Sequence, residues 1–464
     1  MTGWTIGSLA EAIKTKQLSP VEAVRDYLNR IERLDPILRA FITVDAEGAL
    51  AQARILEAEP PRGPLHGVPL AYKDLCAVRR LPTSCGTCTR EYFLSEHECT
   101  AVTRLSRAGS VTLGKLNMSE LAMGPFGDNA HHGDAQNPWR VGHITGGSSS
   151  GSGGAVAARL CAGALGSDTG GSIRLPAAAC GIVGLKPTYG RVSRAGVMPL
   201  SWSYDHLGPM TLTVRDCALM LGVIAGHDPA DATSSPRRVP DYVAALDGSV
   251  RGLRVGVPEN YYFTGLHAAV DTAVRAAVGA LRELGAHTVT LRVPDPEPMV
   301  AACNNVMVRA ESAAIHSKIL KDRPAELQPA VLARLAPGLR VSAYDYIQAS
   351  RLRAQFTREF IAEVFSRVDV LVAPTIPEPA PSLAEAKSGT VDEIVTRMGG
   401  FSRLTRPIST LGLPALSVPC GFSADGRPIG VQLIGPPFEE ALVLRLGHAY
   451  EQAVGWHALR PPLT

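Results

Sequence analysis

A glycine- and serine-rich segment, residues 142–172, holds the side chains best suited to covalent chemistry. Ser172 follows Gly170 and Gly171, which let the backbone approach a substrate closely and direct N–H groups at a developing oxyanion. A serine hydroxyl is a poor nucleophile unless a base takes its proton. Lys73 ends an apolar run of strand type, where burial can keep an amine neutral; lowering a lysine pKa from ~10.4 to ~7 takes roughly 4–5 kcal/mol. The pattern predicts nucleophilic catalysis by a serine with a lysine as its base.

Two other uses of such a segment compete with this one. Glycine-rich loops bind phosphates, but no lysine closes this loop as a P-loop requires, and Val156 stands where the dinucleotide pattern needs a glycine. Residues 147–151 satisfy the GxSxG pattern of α/β-hydrolases around Ser149, yet residues 137–143 before them do not have the pattern of the strand that precedes such an elbow. Both alternatives are therefore disfavoured.

The residue types alone do not complete the assignment. Lys73, taken by itself, is equally typical of a surface lysine that follows a strand. The loop also offers several serines that could pass a proton, and the pattern does not choose among Ser148, Ser149, Ser150 and Ser152.

A resemblance to a known family resolves this choice. The sequences GGSSSGSGGAVAA from residue 146 and DTGGSIRLPAAACGIVGLKPTYGRVS from residue 168 closely resemble the amidase signature family. The run GVPLAYKD at 67–74 resembles that family's lysine motif. Weaker similarity continues at 115–122, 137–138, 205–210 and 413–419, so that the resemblance covers about residues 60–440.

The resemblance implies a triad of two serines and a lysine. Carried over by position, Ser172 is the nucleophile, Ser148 is the bridging serine at a cis peptide, and Lys73 is the base. The two serines lie 24 positions apart, which is the spacing associated with the family. The implied oxyanion hole consists of the backbone amides of Thr169, Gly170, Gly171 and Ser172. This chemistry needs no metal and no organic cofactor.

Several neighbouring residues receive supporting roles. We expect Asp168 and Arg174 to hold the loop geometry, as an ion pair. The resemblance places Phe126, His131 and His132 near the substrate cleft as pocket-lining candidates, and because the histidine pair has no third ligand at useful spacing, no metal site is predicted. Arg334 is a further pocket candidate for a carboxylate-bearing substrate, although a solvated helix face is the more common environment for such an arginine.

The elements that would position these residues indicate an α/β fold. Residues 1–55 read as a helical preface, in which Ser19 caps a helix that begins with a proline. We expect strands at 68–72 and 111–114, a small-residue helix at 154–164, a strand–helix–strand unit at 251–293 and a late hairpin within 415–434. The prediction is one domain, 1–464, with a central mixed sheet flanked by helices, in which 60–240 is the catalytic core and 241–464 completes the sheet and pocket.

Composition restricts the class further. The chain has 464 residues, 45% hydrophobic and 19% charged, which is ordinary for a globular enzyme. A formal net charge of +3 gives no electrostatic footprint for nucleic acid or for a membrane, so neither is expected as a partner. Nine cysteines, an odd and scattered set, suit reduced thiols and a cytoplasmic location.

We therefore expect a stand-alone amidohydrolase for a small or medium amide. Cleavage of a urea or carbamate, such as allophanate, a biuret-type urea or a urethane, is a close alternative. A glutaminase subunit of a tRNA-dependent amidotransferase is a second, disfavoured because Ser402 or a neighbour replaces an acidic residue that would hold the substrate ammonium. A non-catalytic binding protein is a third, disfavoured because Lys73, Ser148 and Ser172 are all present. Homodimers are common among relatives, but the sequence shows no interface.

Overall fold

An eleven-stranded mixed sheet runs through the centre of the protein, as seen in a computed structural model that describes residues 3–463. Residues 1, 2 and 464 of the predicted domain lie outside the described part. Eleven strands pair in the spatial order β1-β3-β2-β6-β8-β7-β12-β13-β11-β9-β10, and β4 and β5 form a separate two-stranded sheet. The strands are β1 Phe41–Val44, β2 Pro69–Lys73, β3 Val111–Leu116, β4 Gln136–Asn137, β5 Arg140–Ile144, β6 Gly163–Asp168, β7 Val183–Lys186, β8 His206–Thr211, β9 Arg254–Pro258, β10 His287–Leu291, β11 Val370–Pro374, β12 Ala415–Phe422 and β13 Pro428–Ile434.

Helices pack on this sheet and complete the α/β architecture that the sequence predicts. The α-helices are α1 Ile6–Lys14, α2 Pro20–Leu38, α3 Ala46–Ala58, α4 Thr100–Arg107, α5 Ser150–Ala157, α6 Arg174–Cys180, α7 Val214–Ile224, α8 Ala268–Glu283, α9 Pro296–Met299, α10 Arg309–Ile315, α11 Ser317–Asp322, α12 Pro329–Leu335, α13 Ala343–Phe365, α14 Leu383–Ala386, α15 Val391–Phe401, α16 Arg406–Leu411 and α17 Glu440–Val454. A π-helical segment, Val300–Val308, joins α9 to α10.

The strands that carry the predicted site are neighbours. β2 runs parallel to both β3 and β6, and Tyr72 of β2 is in register with Leu165 of β6. This pairing brings the carboxyl end of β2, with Lys73, beside the end of β6, with Ser167 and Asp168. The backbone pairing therefore fixes the lysine relative to the loop that leads to Ser172.

The N-terminal preface is helical but also contributes a strand. Ser19 caps α2 as predicted: its hydroxyl accepts from the Glu22 amide, and the Glu22 carboxylate accepts from the Ser19 amide. Between α2 and α3, β1 pairs antiparallel with β3 at one edge of the sheet. The preface is thus part of the same sheet as the site rather than an appendage to it.

Two local predictions are wrong. The small-residue helix expected at 154–164 is instead α5, which ends at Ala157, and Arg159 follows it at a positive φ of 57°. Because the left-handed conformation at Arg159 stops the helix, the chain reverses and enters β6. Residues 137–143, expected to lack a strand, contain most of β5, which belongs to the small separate sheet.

The C-terminal half follows the predicted pattern. The unit at 251–293 is β9, α8 and β10, with the two strands parallel, and β12 and β13 form the predicted antiparallel hairpin. The pairing of β7 with β12 joins this half to the first without a break in the sheet. Residues 60–240 and 241–464 therefore share one core. Within residues 3–463, no helix combines the length and apolar character needed to cross a membrane.

Candidate active site

Lys73 lies fully buried at the end of β2, and its amine faces hydroxyl groups. Its Nζ is 2.7 Å from Ser148 Oγ and 2.9 Å from Ser167 Oγ. Burial lowers the pKa of this amine to about 7, against the smaller opposing effect of nearby acidic groups that include Asp205 and Asp168. An amine with this pKa is neutral in a large fraction of molecules near neutral pH and can accept a proton.

Ser148 follows a cis peptide bond with Gly147, in agreement with the bridging serine that the resemblance implies. The next serines in the loop have other partners. The Ser149 hydroxyl bonds to both the carbonyl and the amide of Ser167, at 3.2 Å each, and the Ser152 hydroxyl donates to the Leu165 carbonyl. These bonds attach the loop and the start of α5 along β6, and they leave Ser148 as the serine that contacts Lys73. They also exclude the elbow interpretation, because the Ser149 hydroxyl is buried and occupied.

Ser172 lies on the loop between β6 and α6, and it is partly exposed in a cleft of about 440 Å³. Among the four amides predicted for the oxyanion hole, that of Gly171 already donates to Asp168 Oδ1 at 2.8 Å. The amides of Thr169, Gly170 and Ser172 have no hydrogen-bond acceptor within the described chain. Three of the four predicted donors are therefore free to bind an oxyanion.

Gly171 cannot be replaced by a larger residue without moving the loop. Its φ is +135°, and a Cβ built there would lie 2.2 Å from Thr405 Oγ1. Glycine is needed here for both the backbone conformation and the close approach of α16. The same Thr405 hydroxyl donates to the Gly170 carbonyl at 2.7 Å, so the loop is held from its outer side.

Asp168 and Arg174 form the predicted ion pair, with both side chains fully buried and Arg174 Nε 3.0 Å from Asp168 Oδ2. Burial opposes ionisation of Asp168, but the adjacent guanidinium outweighs it and holds the pKa of Asp168 well below its usual range. Arg174 also donates to the Thr405 carbonyl, to Ser409 Oγ and to Gln432 Oε1. One guanidinium thus joins the nucleophile loop to α16 and to β13.

The predicted pocket residues separate into one that lines the cleft and three that do not. Arg334 lines it, so the solvated helix face expected for this side chain is wrong. Phe126 is buried against Phe401, with ring centroids 5.8 Å apart, because the apolar core beneath the cleft claims its ring.

The two histidines are also occupied away from the cleft. His131 Nε2 lies 2.9 Å from Glu120 Oε1, and His132 Nε2 lies 2.9 Å from the Thr87 carbonyl oxygen. These contacts within loops account for both rings, and neither residue lines the cleft beside Ser172. Residues 3–463 contain no group of three or more His, Cys, Asp or Glu side chains arranged to hold a metal ion.

Sequence reasoning missed several residues of the site. Ser167, the second hydroxyl at Lys73, lies between the two central motifs and next to Asp168, and pairing β2 with β6 would have been enough to find it. Asn304, Ser402 and Arg406 line the cleft but come from distant segments. Of these, only Ser402 had a signal in the sequence, as the position where an acidic residue is absent.

Comparisons with known proteins agree with this architecture. The family model for amidases matches residues 22–444. The glutaminase-type component of a glutamyl-tRNA(Gln) amidotransferase from Roseiflexus sp. (strain RS-1) is 41% identical, over 99% of this chain and 98% of that protein. The peptide amidase of Stenotrophomonas maltophilia is 32% identical with a TM-score of 0.85, over 99% of this chain and 98% of that one. A 6-aminohexanoate cyclic dimer hydrolase is 27% identical with a TM-score of 0.89, over 99% of both chains.

The fold and the matched family together define an enzyme that hydrolyses C–N bonds other than peptide bonds. The chain belongs to the amidase family.

Replacing Ser167 with alanine tests how the Lys73 amine is held. The hydroxyl of Ser167 accepts a hydrogen bond from the charged amine, so its loss should lower the lysine pKa further. We expect the acid limb of the kcat/KM profile to move to lower pH, measured by amine release between pH 5 and 9. Ser152→Ala is the matched control, since it removes a buried hydroxyl of the same loop that bonds to Leu165 instead. An acid limb that stays in place or moves to higher pH in Ser167→Ala would contradict this role.

Proposed function

We propose that the protein hydrolyses a carboxamide through an acyl-enzyme on Ser172, with Ser148 and Lys73 moving the proton. The observation that carries the proposal is the 2.7 Å contact between Lys73 Nζ and Ser148 Oγ, in a fully buried setting at the foot of the cleft that Ser172 lines. A neutral amine, a hydroxyl and a partly exposed serine are the groups that this chemistry requires.

In the proposed reaction, the Ser172 oxygen attacks the amide carbonyl carbon while its proton passes through Ser148 to the Lys73 amine. The resulting oxyanion accepts hydrogen bonds from the free amides of Thr169, Gly170 and Ser172. The C–N bond then breaks as the proton returns through Ser148 to the leaving nitrogen. Water attacks the Ser172 ester by the same route in reverse, and it releases the acid and restores the serine.

The expected substrate is a small or medium amide, handled by this chain alone. Ureas and carbamates stay as close alternatives, because they present the same carbonyl carbon and nitrogen leaving group to Ser172. The nine cysteines are all unpaired, which is consistent with the predicted cytoplasmic location. No nucleic acid is needed for the proposed reaction, and a homodimer remains compatible with it.

The second candidate is the glutaminase component of a tRNA-dependent amidotransferase. Identity of 41% over nearly the whole length of the Roseiflexus amidotransferase chain favours it. The lining of the cleft favours hydrolysis of a different amide, because glutamine carries an ammonium group and no carboxylate among the described residues lines the cleft to pair with it. Ser402 is one of the lining residues, at the position where the sequence lacks the expected acid.

The first prediction from this mechanism concerns Ser172. Wild-type protein should react with a fluorophosphonate at Ser172, located by peptide mass spectrometry, and should release amine from at least one member of a panel of amides, anilides, ureas and carbamates that includes L-glutamine. Ser172→Ala should do neither while keeping the wild-type circular dichroism spectrum. A wild-type protein that takes no label would instead support the non-catalytic alternative. Hydrolysis of L-glutamine above all other amides, or only after a partner protein is added, would favour the amidotransferase.

The second prediction concerns pH. Because the neutral amine is the base and burial lowers the pKa of Lys73 to about 7, kcat/KM should rise with pH up to about 7 and level off above it. Lys73→Ala should abolish turnover at every pH and leave the fold intact. A rate that falls steadily from pH 6 to 9 in folded wild-type protein, or near-normal turnover by Lys73→Ala, would refute the assignment.

A further inference from the structure

The cleft beside Ser172 continues into a second cavity, and their shared wall is cationic. The first measures about 440 Å³ and the second about 680 Å³, and Arg334 and Arg406 line both. Arg309 lines the outer cavity. No aspartate or glutamate of the described chain lines either one. Three positive charges therefore face a space that leads to the nucleophile.

These arginines lack the partners that buried arginines have elsewhere in the protein. In residues 3–463, the guanidinium groups of Arg309 and Arg406 make no hydrogen bond or ion pair, and Arg334 has only a weak contact with a sulfur atom, 3.9 Å from Nη1 to Met398 Sδ. Arg174, by contrast, is paired directly with Asp168. A desolvated charge without a partner is costly, so an arginine cluster of this kind calls for an anion.

The electrostatics of the cluster lead in the same direction. Burial lowers the pKa of Arg334, and the like charges of Arg406 and Arg309 lower it further. Asp128 opposes this effect at Arg334, and Glu297 does so at Arg406, but both act from outside the lining of the cleft. Since a guanidinium stays protonated at working pH, the destabilisation is best relieved by a bound negative charge.

Arg406 is held in place relative to the nucleophile loop. The preceding residue, Thr405, donates to the Gly170 carbonyl and accepts from Arg174. A Cβ built on Gly170 would lie 3.7 Å from Arg406 Cγ, so the arginine stem lies against the loop two positions before Ser172. An anion held by Arg406 would thus belong to the molecule whose amide Ser172 attacks.

We propose that Arg334 and Arg406 bind a carboxylate of the substrate, so that the enzyme prefers amides bearing a carboxylate and no ammonium, such as monoamides of dicarboxylic acids. This inference rests on the function proposed for Ser172. The planar fork of a guanidinium matches the two oxygens of a carboxylate, which suits this group better than a neutral polar group. The absence of an acidic side chain from the described lining leaves a substrate ammonium without a partner and beside two positive charges.

The test compares glutaramate with pentanamide, which has the same chain length and no charge, and with L-glutamine, which adds an ammonium. We expect wild-type kcat/KM for glutaramate to exceed that for pentanamide on the order of 10- to 100-fold, the value of one charge-assisted contact. Arg334→Met and Arg406→Met should each reduce that ratio at least about tenfold. Arg351→Met is the matched control, because this arginine is exposed on α13, and its ratio should equal that of the wild type. A wild-type ratio near one, or a ratio unchanged in both cleft variants, would overturn the proposal.

A binding measurement separates this proposal from the catalytic one. Glutarate should bind Ser172→Ala in calorimetry, and it should bind Ser172→Ala/Arg334→Met at least about tenfold more weakly. Absence of glutarate binding would refute the carboxylate site, whatever the outcome of the fluorophosphonate reaction. Glutarate binding that depends on Arg334, in a protein that fluorophosphonate does not label, would refute the proposed catalysis and keep the site.

Discussion

The burial of the Lys73 amine against hydroxyls, without a carboxylate in contact, is the constraint on which the proposed chemistry depends. Moving the pKa of this group from 10.5 to about 7 corresponds to roughly 5 kcal/mol of destabilisation of its charged form. Lys115, its neighbour on β3, shows the alternative: it is equally buried, but its amine lies 2.9 Å from Asp74 Oδ1. Two buried lysines on adjacent strands therefore differ in a single feature, the kind of oxygen that each contacts. An ion pair stabilises a charged amine, whereas two hydroxyls in a desolvated setting leave it able to accept a proton.

Keeping a carboxylate away from Lys73 is demanding, since Asp168 follows Ser167 directly in β6. The protein meets this demand by saturating Asp168 with other donors: Arg174, the Gly171 amide and the Ser409 hydroxyl. The same ion pair that orders the nucleophile loop thus neutralises the nearest acid in the strand. Structure and electrostatics depend on one contact here, so the loss of Arg174 would disturb both the loop and the acid–base balance around Lys73.

Sequence reasoning reached the elements and the residues whose signals are local. The cap at Ser19, the parallel unit at β9–β10 and the β12–β13 hairpin each rest on short-range patterns, and the structure has them. The helix expected at 154–164 failed because small residues suit helices and buried strands alike, and the turn at Arg159 leaves no mark in composition. The choice of Ser148 among the loop serines came from resemblance, since residue type could not provide it. Arg406 was missed because it reaches the cleft through the packing of α16 on the nucleophile loop, more than two hundred positions away in the chain.

The division of labour along the chain follows from this packing. Lys73, Ser148, Ser167 and Ser172 all come from residues 60–240, on strands and loops whose positions are set by β2 and β6. The opposite wall of the cleft comes from the second half, through the π-helical segment, α12 and the start of α16. A substitution on that wall can alter charge and shape without touching the amine or its hydroxyls. Such an arrangement explains how chains as similar in fold as a peptide amidase and a cyclic dimer hydrolase can carry different names, and it makes the arginine-lined wall, rather than the serine-rich loop, the place where the substrate of this protein is chosen.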